Sequence, residues 1–368
     1  MPEQAPRPQK ELNILVFTND TASPYWRFNG QARHFNSETT VSMYVTSNKT
    51  WNGRTMGADI VILEMLTNPA MVQMCKDQGA IVVFECDDAS IDTYEEKGRK
   101  HLMHVNEKWK EQSIATIQAC DAVTVTNHYL KENIARFYKG PIFILPNYMD
   151  FEWYGKETKI SPPRATDEVR IGWFGSKGHY EDLVMVTNAI KWVLEKYPQA
   201  KFIYTGSGGM SSDKASTQVG WGEDFFKEIP RERREFYKGV DAELWPMKHR
   251  LCDLDIGLAP LIDDNFNHCK TGIKWMEYAA TGVPAVVSPV VYAEHPEEKE
   301  GSMVTDGVNA FVAQNEEEWF EKICLLVEDA ELRKTMAAAA LKEVQEKWNL
   351  DDHLTRFEKV YRQIDALR

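Results

Sequence analysis

The chain has 368 residues, of which 43% are hydrophobic and 27% are charged, and its formal net charge at pH 7 is −13. This length allows two domains that each bury a core, and the acidic balance argues against a protein that coats nucleic acid or anionic membranes through excess Lys and Arg. No apolar run approaches the roughly 20 residues that span a bilayer, and the six cysteines lack C-x-x-C spacing, so we expect a cytoplasmic protein with reduced thiols.

Short runs rich in Val and Ile alternate with amphipathic stretches through the first part of the chain, after a polar tail at residues 1–10. Strands are predicted at residues 12–17, 40–45, 58–63, 80–84, 122–126 and 142–145, and helices at about 94–119 and 128–138. This alternation indicates a mostly parallel sheet with helices on both faces. We therefore predict a Rossmann-like first domain over residues 11–155.

Two loops of the first domain carry polar side chains where strands end. The loop after the first strand contains Arg27, a candidate cation, although Thr21 or Ser23 could equally cap a helix there. Asp87 and Asp88 follow the fourth strand, where they could orient substrate hydroxyls, cap the next helix or bind a divalent metal. Because neighbouring strand residues point to opposite faces, the metal is the least favoured of the three.

A polar stretch with two adjacent prolines predicts a linker at residues 156–168, after which the alternation restarts. Strands are predicted at residues 169–174, 201–205, 255–259 and 285–288, and helices at 180–196, 273–280, 316–328 and 330–347. This pattern predicts a second Rossmann-like domain over residues 169–348. Residues 349–368 form a final amphipathic helix with Leu354, Phe357 and Tyr361 on one face.

Glycines follow the first two strands of this second domain. Gly175 opens a turn with Ser176 and Lys177, in which glycine would let the backbone approach a phosphate and the lysine would supply positive charge. Gly206 opens a second glycine-rich loop. Because any Rossmann-like domain can carry such turns, spacing alone leaves phosphate binding and simple architecture equally open.

Other polar side chains of the second domain favour simpler interpretations. Arg231, Arg233 and Arg234 are predicted to be solvated charges on a helix, and His179 is predicted to be a solvated helix histidine. Trp245 is predicted to lie in the core.

Residues Ile256 to Pro284 are the most informative segment of the chain. A buried strand is followed by a polar loop, a helix begins near Thr271, and Gly282 precedes the proline that ends it. The N–H groups and dipole of such a helix start attract phosphate, and Glu277 on this helix can accept hydrogen bonds from ribose hydroxyls. A nucleoside diphosphate suits both features, although a strand, loop and helix can also be simple architecture.

This segment resembles the donor-site motif of GT-B glycosyltransferases, especially family 4 (glycosyltransferase group 1). The motif usually has the form Glu-x7-Glu, a run of small residues and Gly-x-Pro, and here the sequence is Cys-Lys-Thr-Gly-Ile-Lys-Trp-Met-Glu-Tyr-Ala-Ala-x-Gly-x-Pro. Glu277 matches the second glutamate, and Gly272 matches a glycine at the helix start. Cys269 occupies the place of the first glutamate, and a thiol cannot accept a strong hydrogen bond from a sugar hydroxyl. Supporting similarities occur at residues 84–88, 145–150 and 171–183.

The resemblance implies two Rossmann-like domains that face a cleft, with the last helix crossing back to the first domain. It implies an enzyme that moves a sugar from a nucleotide-sugar donor, UDP-sugar first among them, to an acceptor hydroxyl with retention and without a metal or other cofactor. It assigns donor binding to Gly175, Ser176, Gly206, Val240, Lys270, Thr271, Gly272, Ile273 and Glu277. Lys177, Lys274 and Asp88 would be catalytic, and Arg27 and Asp87 would lie on the acceptor side.

Two questions stay open at the level of sequence. GT-B nucleotide-sugar epimerases and phosphorylases share this architecture, and a catalytically inactive module that binds a sugar nucleotide or a polymer would share the motif. The acceptor could be a glycan, a lipid, a protein, a small molecule or hydroxymethylated DNA.

Overall fold

The computed structural model describes residues 11–18, 23–38, 40–89, 91, 107–156, 166–175, 179–206, 229–293 and 302–368. The chain divides into two compact units. The first contains residues 1–87, 107–146 and 350–368, and the second contains residues 88–106 and 147–349. Among the described residues, each unit has a parallel six-stranded sheet. The predicted linker at 156–168 lies largely outside the described residues.

The first unit is built on strands β1 (Leu12–Thr18), β2 (Val41–Ser47), β3 (Ile60–Glu64), β4 (Ile81–Cys86), β5 (Ala122–Val125) and β6 (Ile142–Ile144), in the order β2-β1-β3-β4-β5-β6. Its first helices are α1 (Ser23–Arg27), α2 (Asn29–Glu38), α3 (Pro69–Asp77), α4 (Glu107–Ala119) and α5 (His128–Ala135). Strands β3, β4 and β5 are buried at every residue. This burial explains their nearly continuous Val and Ile content, because helices cover both faces of a parallel sheet.

The second unit contains strands β7 (Val169–Phe174), β8 (Ala200–Gly206), β9 (Arg234–Lys238), β10 (Ile256–Ala259), β11 (Ala285–Val287) and β12 (Phe311–Val312). Its helices are α6 (Phe151–Tyr154), α7 (Tyr180–Val184), α8 (Thr187–Lys196), α9 (Trp245–Leu251), α10 (Asn265–His268), α11 (Ile273–Ala280), α12 (Glu316–Glu328) and α13 (Ala330–Lys347). The strand order is β12-β11-β10-β7-β8-β9. The chain therefore reverses direction across the sheet between β7 and β10, and open sheets of this kind bind ligands at that point.

The last helix, α14 (Leu350–Asp365), belongs to the first unit. The Tyr361 hydroxyl donates a 2.9 Å hydrogen bond to Oε1 of Gln31, and the Tyr361 ring packs edge-on against Phe35 on α2. The predicted return of the final helix to the first domain is confirmed. Residues 147–155 were assigned by sequence to the first domain, yet they pack with the second unit, where the Met149 N–H donates to the carbonyl of Trp348.

Several elements differ from the sequence predictions. The predicted helix 180–196 is two helices, α7 and α8, interrupted at Met185 and Val186, in a stretch where β-branched valines lose side-chain freedom in a helix. The prediction of helical arginines is wrong, since residues 231–233 form one 3-10 turn and Arg234 begins edge strand β9. The Arg233 guanidinium donates to the carbonyls of Leu194 and Ala200 and so is a structural contact. The predicted helix start at residue 94 lies outside the described residues.

Candidate functional site

The predicted donor-site residues gather at one edge of the second sheet. Gly175 directly follows β7, Gly206 ends β8, and Val240 lies two residues beyond β9. Because the strands are parallel, their carboxyl ends all lie on the edge where the loop from β10 leads into α11. The second unit alone therefore brings these segments together. Ser176 and Lys177 lie outside the described residues.

Helix α11 places Glu277 at this edge. Its inner face is fixed by Trp275, Met276 and Tyr278, all fully or almost fully buried. Gly272 precedes the helix, and a Cβ there would lie 2.4 Å from Sδ of Met303, so the chain can take this path only with glycine unless Met303 moves. No side chain of the described residues caps this helix end, which leaves first-turn N–H groups for water or an anion.

Two lysines flank the start of α11. The Lys270 ammonium lies 3.2 and 3.1 Å from the two oxygens of Asp88 and 4.2 Å from the centre of the Phe266 ring. Lys274 lies in the first turn, where burial lowers its pKa to about 8 despite the nearby charge of Asp182. Their positive charges and the N–H groups of the helix start would together attract a diphosphate. Asp88, expected to be catalytic, is thus an ion-pair partner of Lys270.

Thr271 and Asn147 are also connected at this helix start. The Asn147 side-chain amide donates a 2.8 Å hydrogen bond to Oγ1 of Thr271. Asp150, in the same short string as Asn147, accepts from the N–H groups of Glu152 and Trp153 and caps α6. The string at residues 145–150 therefore contributes one contact to the site and one structural cap.

The Glu277 carboxyl is only 5% exposed. The indole N–H of Trp245 donates a 2.9 Å hydrogen bond to its Oε1 atom, and Nε2 of His249 lies 3.9 Å from its Oε2 atom. Burial raises the pKa of Glu277 to about 8 and lowers the pKa of His249 to about 3. Both groups are therefore mainly neutral at pH 7, and new hydrogen-bond donors would favour the carboxylate form of Glu277.

Trp245 is not simply a core residue, as the sequence suggested. Its ring is half-buried, packs against the rings of Phe174 and His249, and directs its N–H at Glu277. Trp245 and His249 are four residues apart on α9, so both project from one face of this helix. Their i, i+4 spacing was visible in the sequence, but the partner on α11 was not.

A second buried network lies between β7 and β10. Asp182 is fully buried and accepts hydrogen bonds from the Ile262 N–H, the Asn267 side-chain amide and Nδ1 of His179. Burial, with a smaller contribution from Lys274, lowers the pKa of His179 to about 3. His179 is therefore not a solvated helix histidine. The Asp182 network connects the residues after the Gly175 turn to the loop that leads into α11.

Arg27 has a different environment from the one expected on the acceptor side. It is 2% exposed, its Nε–H donates a 2.7 Å hydrogen bond to Oε1 of Glu85, and Nη1 donates to the carbonyl of Leu145. A buried carboxylate requires such a partner, so Arg27 stabilises Glu85 within the first unit and is not an available cation. Asp87 follows β4, is half-buried and lies close enough to Arg27 for their charges to interact.

Two kinds of feature are absent from the described residues. Within those ranges, no group of three or more His, Cys, Asp or Glu side chains is arranged to hold a metal ion. No helix in the same ranges is long and apolar enough to cross a bilayer. Cys269, at the place of the first motif glutamate, is fully buried beside the last turn of α10.

Comparisons with known proteins agree with this architecture. Residues 168–329 match the model of a family described as "Glycosyl transferases group 1", whereas no curated protein sequence matches the chain. The structure is similar to a sucrose-phosphate synthase from Thermosynechococcus elongatus, with a TM-score of 0.67, 11% identity and coverage of 97% of this chain and 100% of that one.

Two further solved structures have the same fold. HepE from Anabaena, in complex with UDP and glucose, matches with a TM-score of 0.63, 12% identity and coverage of 95% of this chain and 99% of that one. A glycosyltransferase from Rickettsia africae matches with a TM-score of 0.63, 13% identity and coverage of 97% and 99%. At identities this low, the structural matches show the fold alone. The fold that they show confirms the predicted GT-B class of two Rossmann-like domains.

Proposed function

We infer that this chain, whose residues 168–329 match the model of the group 1 glycosyl transferases and whose two sheets have the GT-B fold, moves a sugar from a nucleotide-sugar donor to an acceptor hydroxyl. One observation carries the inference. Glu277 lies on α11, one and a half turns from a helix start that is flanked by Lys270 and Lys274 and lies at the switch point of the sheet.

We propose that the donor diphosphate binds at the start of α11. Its oxygens would accept hydrogen bonds from first-turn N–H groups at Thr271, Gly272 or Ile273 and would interact with both lysine ammonium groups. Its ribose hydroxyls would donate to the Glu277 carboxylate. UDP is the proposed nucleotide, because the structurally similar HepE is bound to UDP and glucose. Gly175, Gly206 and Val240 would contact the donor through their backbone.

The proposed reaction breaks the bond between the anomeric carbon and the diphosphate oxygen. Negative charge grows on the leaving diphosphate, where the α11 start, Lys270 and Lys274 stabilise it most strongly as the bond lengthens. The acceptor oxygen forms the new bond to the same carbon, and its proton leaves for the departing diphosphate. We propose retention at this carbon from the donor-motif resemblance, and catalysis without a metal because the two lysines and the helix start supply the positive charge.

Asp88 has a proposed role on the acceptor side of this reaction. It pairs with Lys270, and a donor diphosphate would compete for the same ammonium group. Release from Lys270 would leave the Asp88 carboxylate able to accept a hydrogen bond from the acceptor hydroxyl. We also propose, from the sequence, that Asp87 lies on the acceptor side, that Lys177 is catalytic, and that the protein is cytoplasmic, the last because its cysteines lack C-x-x-C spacing and no apolar run is long enough to span a bilayer.

A ligand screen followed by a product assay tests the proposed function. Melting temperatures are measured with UDP, GDP, ADP and their glucose conjugates, all in excess EDTA, and we expect UDP or a UDP-sugar to raise the melting temperature by mass action. Candidate acceptors then include glycans, lipids, small molecules and hydroxymethylated DNA. Conversion of a free nucleotide sugar without acceptor would identify an epimerase, and no stabilisation by any nucleotide would contradict the proposal.

A further inference from the structure

Helix α9 directs two side chains toward the Glu277 carboxyl. Trp245 donates its indole N–H to Oε1 at 2.9 Å, and His249 holds Nε2 at 3.9 Å from Oε2. His249 is 2% exposed, and within the described residues its Nε2 atom has no hydrogen-bond partner. One turn of helix thus places one aromatic group beside each carboxyl oxygen.

Tyr154 completes this arrangement, because its hydroxyl contacts both His249 and the Glu277 carboxyl. The Tyr154 hydroxyl and Nδ1 of His249 share a hydrogen bond of 3.1 Å. When the hydroxyl donates to Nδ1, the single proton of the neutral imidazole lies on Nε2 and faces Glu277. A movement of about 1 Å would then bring Nε2 into hydrogen-bond distance of Oε2.

A ribose needs Glu277 in one orientation. Two adjacent hydroxyls can both donate to a carboxylate only if its plane faces them. Free rotation about the side-chain bonds of Glu277 would not fix that plane. The hydrogen bond from Trp245 to Oε1 restricts rotation of the Glu277 carboxyl, and the His249 ring limits the space beside Oε2. A held carboxylate loses less side-chain entropy when the ligand binds.

We propose that Trp245 and His249 are positioning residues that orient the Glu277 carboxylate to accept hydrogen bonds from both the 2′ and 3′ hydroxyls of the donor ribose. The proposal rests on the proposed function, since it specifies how the same site recognises ribose. Neither residue needs to contact the donor. Each acts through Glu277, so each should affect affinity only for ligands that carry ribose hydroxyls.

Other titratable groups face Glu277, and their contribution to the pH dependence of ligand binding must be separated from that of Glu277. Lys274 lies on the same helix, Tyr154 and His249 lie on α6 and α9, and Tyr292 follows β11. Burial raises the pKa of Tyr154 and of Tyr292 far above the ordinary range, so both stay neutral. Lys274 titrates near pH 8, and its positive charge also favours the carboxylate form of Glu277, so the wild type and the variants are compared at each pH.

The experiment compares two ligands that differ only in the ribose hydroxyls. Calorimetric titration gives the dissociation constants of UDP and of 2′,3′-dideoxy-UDP between pH 6.5 and 9 for the wild type, Trp245→Phe and Met247→Ala. The ratio of the two constants measures ribose recognition, and the effect of phosphate ionisation cancels in it. The effect of Lys274 on Glu277 is present in the wild type and in both variants, so it is removed by comparing their ratios at the same pH. Met247 lies on the same helix and is 46% exposed, so its variant is the matched control.

We expect Trp245→Phe to weaken UDP binding about tenfold at pH 7, equivalent to about 1.4 kcal/mol, and to change dideoxy-UDP binding less than about twofold. Loss of the indole N–H also raises the pKa of Glu277, because that bond favours the carboxylate. The variant's preference for UDP should therefore recover only at higher pH than in the wild type. Met247→Ala should match the wild type.

His249 is tested by two variants and by a double substitution. His249→Phe removes the ring nitrogens and should reduce the UDP preference, whereas His249→Gln supplies an N–H and should restore part of it. Trp245→Phe should have no further effect in a Glu277→Ala background, because positioning acts through the carboxylate.

Four outcomes decide between the proposals. Equal weakening of both ligands in Trp245→Phe, or an unchanged UDP preference in both Trp245→Phe and His249→Phe, overturns the positioning role. If the wild-type protein prefers UDP to dideoxy-UDP and Glu277→Ala abolishes that preference, the proposed function stands even where the positioning role is overturned. If wild-type protein binds neither ligand, the proposed UDP site and the positioning role both fail.

Discussion

The indole N–H of Trp245 donates a 2.9 Å hydrogen bond to the carboxyl of Glu277, a residue 32 positions later in the chain. Glu277 is buried, and this bond helps to keep its carboxyl at the edge of the sheet where β7 and β10 end. Glu277 therefore carries both a stability cost, from burial, and the proposed recognition of the nucleotide.

Glu277→Gln should stabilise the chain more at high pH than at low pH. The folded pKa of Glu277 is about 8 against an ordinary 4.5, so the wild type is favoured below pH 4.5 and loses stability as pH rises through 8. Glutamine does not titrate. The melting temperature of the variant minus that of the wild type should therefore increase between pH 5 and pH 8.5, whereas Glu331→Gln on the exposed face of α13 should give a constant difference. A flat difference for Glu277→Gln would mean that the carboxyl is not desolvated.

Lys274 should make anion binding depend on pH. Its pKa of about 8 means that its charge is lost as pH rises through that value, so affinity for inorganic pyrophosphate should fall between pH 7 and pH 9. Lys274→Arg keeps its charge throughout and should bind pyrophosphate with a weaker dependence on pH. Lys274→Ala should lower the affinity for pyrophosphate about tenfold at pH 7, which corresponds to roughly 1.4 kcal/mol of binding free energy. Lys334→Ala, at a position with a 79% exposed side chain, is the control, and an equal loss there would refute a specific site.

Asp182→Asn should destabilise the second unit by about 2–3 kcal/mol, because an amide cannot accept from all three donors and would turn its own N–H groups toward one of them. Urea denaturation followed by tryptophan fluorescence measures the change in unfolding free energy. The exposed Asp241→Asn is the matched control. A change below about 0.5 kcal/mol for Asp182→Asn would show that the network contributes little.

Gly272→Ala should distort the start of α11. The new Cβ would meet Sδ of Met303 at 2.4 Å and the Tyr292 ring at 3.3 Å, so the thioether has to move or the helix start shifts. Pyrophosphate affinity and stability should both fall. In a Met303→Ala background Gly272→Ala should reduce stability and pyrophosphate affinity less, because Sδ of Met303, the atom closest to the new Cβ, is absent. Equal costs in both backgrounds would place the strain elsewhere.

The sequence was sufficient for the features that depend on local pattern. Alternating buried runs indicated two parallel sheets, and β7, α11, α12 and α13 begin and end where the periodicity placed them. The position of Glu277 on α11 also followed from a local strand, loop and helix. Edge strand β9 was missed because its sequence, Arg-Glu-Phe-Tyr-Lys, has no alternation of apolar and polar residues and none of its residues is fully buried.

Long-range side-chain partners could not be read from the sequence. Arg27 and Glu85 are 58 residues apart, and only the packing of α1 on β4 shows that the guanidinium serves this carboxylate. Asp182 likewise connects a helix after β7 to a loop after β10, at separations of 80 and 85 residues. A buried charge is recognisable only when the surrounding atoms are known, which is why these roles were assigned differently from sequence.

The most direct test of the central claim is a crystal structure of the chain with UDP bound. We expect diphosphate oxygens at about 3 Å from N–H groups in the first turn of α11 and from Lys270 or Lys274, with both ribose hydroxyls donating to Glu277. UDP bound at another place, with Glu277 still enclosed by Trp245 and His249 and out of contact with the ribose, would contradict the account.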